Sequence, residues 1–98
     1  MAQAFMVEID LPQNLPEEFV RIIPENRQMV NQFMAEGRIS IYTLAEDRTN
    51  LWIVIYGQTE DDVRELLDEL PIMIYLEPQI RPLAFHMTTD HIMTISLN

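Results

Sequence analysis

Leu70-Pro71-Ile72-Met73-Ile74-Tyr75-Leu76-Glu77-Pro78-Gln79-Ile80 decides the fold, because this stretch joins a helix end to a terminal strand. Pro71 lacks the backbone donor that a continuing helix needs, so the preceding helix stops at Leu70. Val63, Leu66, Leu67 and Leu70 recur at i, i+3, i+4 and i+7, one apolar stripe of a short helix. Thr59 stands at its N-cap, with Asp62 at the reciprocal position. Downstream, the spacing predicts a strand from about Met73 to Phe85 with Tyr75 near its head. Pro78 and Pro82 interrupt that strand, and their missing donors confine it to a sheet edge or a bulge.

Upstream, residues Ala4 to Leu11 read as a half-buried strand, with Phe5, Val7, Ile9 and Leu11 on one face and Ala4, Met6, Glu8 and Asp10 on the other. Leu11-Pro12-Gln13-Asn14-Leu15-Pro16 is a turn-forming connection. A helical segment follows from about Pro16 to Glu36, where Phe19, Ile22, Ile23, Val30, Phe33 and Met34 make one stripe and Gly37 stands past the C-terminus. Pro24 inside it predicts a kink, or a short first helix with Pro24 opening a second. Arg38 to Ala45 and Asn50 to Gln58 are two more strands, joined through the polar turn Glu46-Asp47-Arg48-Thr49. The run Leu51-Trp52-Ile53-Val54-Ile55-Tyr56 has no polar residue, so both faces of that strand need cover.

The order β-α-β-β-α-β specifies an α+β, ferredoxin-like domain over residues 1–86, an antiparallel four-stranded sheet with two helices on one face. The other face of the sheet is open, and the same face of a second copy is its simplest cover, giving a dimeric α/β barrel. The C-terminal extension, residues 87–98, alternates His91, Met93, Ile95 and Leu97 against Ile92, Thr94 and Ser96, and is expected to add a strand to a neighbouring subunit.

The Leu-Pro helix stop, the following apolar residues, Tyr75, the Glu36-Gly37 helix end and His86 together make the chain resemble the muconolactone isomerase family. The resemblance runs from the first strand to His86. It independently implies the dimeric α/β barrel, and it implies a cofactor-free shift of a double bond within an unsaturated lactone acid. That reaction needs one group to remove a carbon-bound proton, one to return it, and a cation to hold the carboxylate.

Composition bounds the remaining choices. Ninety-eight residues suit one domain, near the size where burying further surface in an oligomer helps. A net charge of -10, with six arginines and no lysine, argues against nucleic acid and anionic membranes as partners. It also means that an anionic ligand needs a local arginine to outweigh the field. The absence of cysteine removes disulfides, thiolate metal sites and a cysteine nucleophile, and suits a reducing cytoplasm. Met1-Ala2-Gln3 does not open an export signal, and no run approaches the roughly 20 apolar residues of a membrane span.

General bases work best with a pKa near the operating pH, which favours histidine or a carboxylate raised by burial. His86 ends the last strand where the resemblance also places a histidine, and it serves equally as a strand-end residue bonded to backbone. Glu25 and Arg27 follow Pro24, where the family carries an acidic residue and then lysine. Arg27 keeps its charge, so it suits clamping a carboxylate rather than acting as a base, and Glu25-Asn26-Arg27 also fits a solvated helix face. Trp52 and Tyr75, with Tyr42 and Tyr56, suit the lining of an apolar pocket for a small organic molecule, or sheet packing and a dimer interface. The seven methionines fit adaptable packing, and the acidic residues of helix first turns complement the helix dipole. His86 and His91, five apart, fall on opposite faces of an extended chain, against a shared metal. The functional readings are therefore three: a lactone isomerase with His86 and Glu25 moving the proton and Arg27, Trp52 and Tyr75 holding the substrate, a non-catalytic ligand-binding or assembly module, and a cofactor-free monooxygenase in which Trp52 outweighs His86.

Overall fold

Phe5, Val7 and Ile9 alternate with polar or smaller residues, and a computed structural model of the protein, which describes residues 2–89, places them in strand β1 (Gln3–Asp10), each buried. Helix α1 (Glu17–Ala35), strands β2 (Ile39–Leu44) and β3 (Asn50–Gly57), helix α2 (Glu60–Asp68), a 3-10 turn (Pro71–Tyr75) and strand β4 (Gln79–Pro82) follow. The strands lie in the order β2-β3-β1-β4, and every neighbouring pair is antiparallel. This is the ferredoxin-like α+β arrangement that the element order predicts.

Both helices cover one face. Phe19, Val30 and Phe33 of α1 and Val63, Leu66 and Leu67 of α2 join Phe5, Val7, Ile9, Leu51, Ile53 and Ile55 in one core. Side chains that alternate inward from β1 and β3 make this layer, so truncating a wholly buried member such as Ile53 should cost about 2–5 kcal/mol.

Local chemistry explains where the helices begin and end. Thr59 Oγ1 accepts from the Asp62 N–H at 3.2 Å, and the Asp62 carboxylate accepts from the Thr59 and Gln58 N–H groups at 3.1 and 2.9 Å. Helix α1 ends in a Schellman motif: Arg38 N–H donates to Phe33 C=O and Gly37 N–H to Met34 C=O, while Gly37 takes φ +76°. Pro24 neither splits α1 nor opens a second helix. Pro24 and Val20, the residue four before it, are both exposed, so water can serve the carbonyl that the proline leaves unpaired.

The segment after α2 differs from the expected strand over Met73 to Phe85. Pro71 to Tyr75 wind into a 3-10 turn instead, with Met73 N–H donating to Leu70 C=O and Leu76 N–H to Met73 C=O. The reason is burial: Ile72 and Met73 are adjacent and both buried, which period-two alternation cannot achieve, while Ile74 is 81% exposed. Only Gln79–Pro82 remains as strand, on the sheet edge where its proline needs no partner.

On the face away from the helices stand Ala4, Met6 and Glu8 of β1 opposite Tyr56, Val54 and Trp52 of β3. Val54 is wholly buried there. The protein supplies part of the cover itself, since the chain past β4 leaves the sheet at Leu83, bonded to Ala4, and reaches the far edge strand at His86, bonded to Ser40. Of the expected inter-subunit strand at 87–98, residues 90–98 lie outside the described residues.

Strand β2 carries a bulge between Ile39 and Ile41. Ile39 opposes Ile55 and Tyr42 opposes Ile53, so both face the helices although they are three residues apart. The extra residue, Ser40, makes that possible.

Candidate functional site

A cavity of about 550 Å³ lies between α1, the β2–β3 hairpin and the chain leading into α1. That volume is typical of small-molecule sites. Its apolar walls include Leu11, Leu15, Phe19, Ile23, Val30 and Leu51. The polar lining is Asn26, Arg27, Asn31, Tyr42 and Arg48. Helical periodicity explains the α1 contribution, because residues 19, 23, 26, 27, 30 and 34 stack on one face at three- and four-residue steps.

Asn26 is the most buried polar side chain described, 4% exposed, and it ties three elements together. Its Oδ1 accepts from the Ile72 N–H at 3.4 Å, and its Nδ2 donates to the Tyr42 hydroxyl at 3.1 Å. Burial pushes the Tyr42 phenol above its ordinary value, against smaller opposing pulls from the Asn26 hydrogen bond and the Arg27 charge.

The cations stand out more. Arg21, Arg38 and Arg64 pair with Glu17, Glu36 and Glu60 at 3.3, 3.7 and 3.1 Å. Arg27, Arg48 and Arg81 have no carboxylate partner among the described residues, and the first two line this one cavity. Arg48 also adopts φ 63°, the single non-glycine residue with positive φ among those described. Such a conformation is disfavoured for a residue with a Cβ, and strain of this kind concentrates at functional sites. The turn is held by Asp47, whose carboxylate accepts from the Thr49 hydroxyl at 2.7 Å and the Thr49 N–H at 3.1 Å. These bonds hold Asp47 below the usual carboxylate range.

The residues singled out from sequence do not converge. Arg27 lines the cavity, whereas Glu25 is exposed on α1 outside the lining. Tyr75 stands behind the wall, packed edge-on against Phe19 with ring centroids 5.8 Å apart. Trp52 faces the opposite side of the sheet. His86 is on that side too, sharing a 3.0 Å hydrogen bond with Ser40 Oγ and lying 6.2 Å from the Tyr56 ring. Among the described residues, no three His, Asp or Glu side chains are placed to hold a metal ion. No helix among them is long and apolar enough to cross a membrane.

The topology, the family-like helix stop at Leu70-Pro71 and the largely apolar cavity under α1 meet a further finding: the family model described as muconolactone delta-isomerase matches residues 3–89. The chain belongs to the muconolactone delta-isomerase family. No curated protein matches it. Membership covers both centres described above, the cavity with Arg27, Arg48 and Tyr42 and the Ser40–His86 pair across the sheet.

Sequence reasoning named Tyr42 among the aromatics suited to a pocket but missed Asn26 and Arg48 as cavity residues. The helix stripe does leave a gap at the turn between Ile23 and Val30, and Asn26 fills it, which marks a polar side chain at a core position. Arg48 is legible only once the turn conformation is known.

Proposed function

We propose that the protein binds a small unsaturated lactone acid, or a related organic acid, in the cavity under α1 and shifts its double bond without a cofactor. Family membership supports the reaction class. The assignment to this cavity is carried by Arg27 and Arg48, two cations without carboxylate partners among the described residues, on an apolar cavity in a chain of net charge -10. Charge-assisted bonds to a carboxylate are about twice as strong as neutral ones, and apolar walls strengthen them further. Tyr75 contributes indirectly by steadying Phe19, and because His86 lies across the sheet and Glu25 outside the lining, the proton moves through solvent in the cavity.

A second reading, a ligand-binding module without turnover, is favoured by one observation: the cavity lining contains no Asp, Glu or His. Self-association through the open sheet face belongs to either reading, supported by half-buried Trp52 and Tyr56 and by exposed Phe85 and Met87 beside them. Lack of cysteine supports a cytoplasmic setting.

Ultraviolet assay of lactone isomerisation, run beside calorimetric binding of the same acids, tests the proposal. The expected result is turnover in the wild type, a raised KM in Arg27→Met, and kcat little changed in His86→Ala and Glu25→Gln, neither of which lines the cavity. Binding without turnover selects the binding module, and absence of binding by any lactone acid removes both readings.

A further inference from the structure

Asn26 fixes which way a proton points in the cavity. The Ile72 N–H can only donate, so the amide end that meets it at 3.4 Å is the oxygen, and the end facing Tyr42 is Nδ2. Nδ2 in turn can only donate, so the Tyr42 oxygen accepts at 3.1 Å and keeps its own hydrogen unused by Asn26. Among the described residues, Tyr42 donates to no protein acceptor, and both residues line the cavity. The Ser40 bulge supplies the orientation, since strict alternation from Ile39 would turn Tyr42 to the other face.

We propose that Tyr42 donates this hydrogen to a carbonyl oxygen of the bound ligand, so that the cavity selects acids bearing a neutral carbonyl as well as a carboxylate. The inference rests on the reading above for the site and for the carboxylate-binding role of Arg27 and Arg48. In a double-bond shift, the C–H bond breaks and its proton passes to solvent water, since the cavity lining holds no carboxylate or imidazole, leaving the electron pair in the conjugated system with the negative charge largely on the carbonyl oxygen. The same proton, or one from solvent, then forms the new C–H bond at another carbon, so no oxidant or reductant is required. A donor already aimed at that oxygen stabilises the charge as it develops, without reorganising. Burial keeps the phenol in its neutral, donating form well above neutral pH.

Two variants test this, each checked first for a cooperative melt. Tyr42→Phe deletes the donor and keeps the ring. Asn26→Asp keeps the shape but places an acceptor against the phenol, turning its hydrogen away from the ligand. The probes are a γ-lactone carboxylic acid and the cyclic ether acid that lacks its carbonyl, with binding read by calorimetry and the bound carbonyl stretch by infrared spectroscopy. The wild type should prefer the lactone by about three- to tenfold, the value of one hydrogen bond, and both variants should erase the preference and the lowered carbonyl frequency. Where the lactones turn over, Tyr42→Phe should lower kcat by about 10²–10³-fold with KM nearly unchanged. Equal binding of the two probes by the wild type, or a preference that survives both substitutions, overturns the inference. A preference erased by Tyr42→Phe without turnover in the wild type removes the isomerase reading and keeps the Tyr42 role. Turnover unchanged in Tyr42→Phe does the reverse.

Discussion

Replacing Asn26 with leucine removes a side chain that bonds both the Ile72 backbone and the Tyr42 hydroxyl, while leaving the volume nearly filled. Loss of the Tyr42 bond is worth about 1 kcal/mol net. The larger effect is on Ile72, which is 5% exposed and would keep a buried N–H with no acceptor. An unsatisfied buried donor costs about 1–3 kcal/mol, and the 3.4 Å length of this bond argues for the lower part of that range. The sum is about 2–3 kcal/mol. For a domain of this size that corresponds to a fall in melting temperature of roughly 10–20 °C. Calorimetric melting at one fixed protein concentration measures it, with Glu25→Ala as control, an exposed neighbour whose change should stay within about 0.5 kcal/mol. If Asn26→Leu melts within about 2 °C of the wild type, Asn26 does not bridge α1 to the 3-10 turn, and the argument for the Tyr42 proton falls with it.

Arg48→Gly should raise stability by about 0.5–1 kcal/mol, because glycine accepts φ 63° without strain, while weakening the affinity for carboxylate ligands; urea titration and calorimetry read the two effects, and a destabilised variant contradicts the strain. Tyr42 gives a pH dependence. Its phenol is held above the unfolded value of about 10, so above that pH the folded state retains a proton that the unfolded chain has released, and stability falls as the pH rises. Below about pH 10 its contribution is constant, so urea midpoints for Tyr42→Phe should decline less steeply than wild type above about pH 10, and equal slopes would refute the assignment. Thr59→Ala should cost about 1 kcal/mol through loss of the α2 cap and Thr59→Ser should recover most of it in the same titration; an unchanged midpoint for alanine would show the cap to be idle.

Much of the fold is legible because its determinants are local. The Thr59 and Asp62 cap, the Val63 to Leu70 stripe and the glycine past α1 each act within a few residues, and each stands where the sequence places it. The apolar run Leu51 to Tyr56 marks a strand, and β3 takes it up between β2 and β1. Pro71 to Tyr75 misleads because the same apolar residues serve an edge strand or a tight turn, and the choice depends on how Ile72 and Met73 meet the core. The cavity is less legible still. The functional promise of Glu25-Asn26-Arg27 divides three ways on a helix, with about 100° between successive side chains: Glu25 goes to solvent, Asn26 to the interior and Arg27 to the cavity rim. His86 meets Ser40 across 46 residues of sequence, a pairing that no spacing rule anticipates.

The bulge at Ser40 gives β2 an arithmetic of its own. Deleting Ser40 would leave a strand that pairs with β3 in plain alternation, with Ile39 and Tyr42 still towards the helices and Ile41 still away from them. The cavity would keep its phenol while the imidazole across the sheet would lose its hydroxyl, in one event that alters no remaining side chain. Position 40 is thus surplus to the ladder and belongs to one surface alone. Its removal reaches the surface that carries His86 and leaves the one that carries Tyr42 as it was.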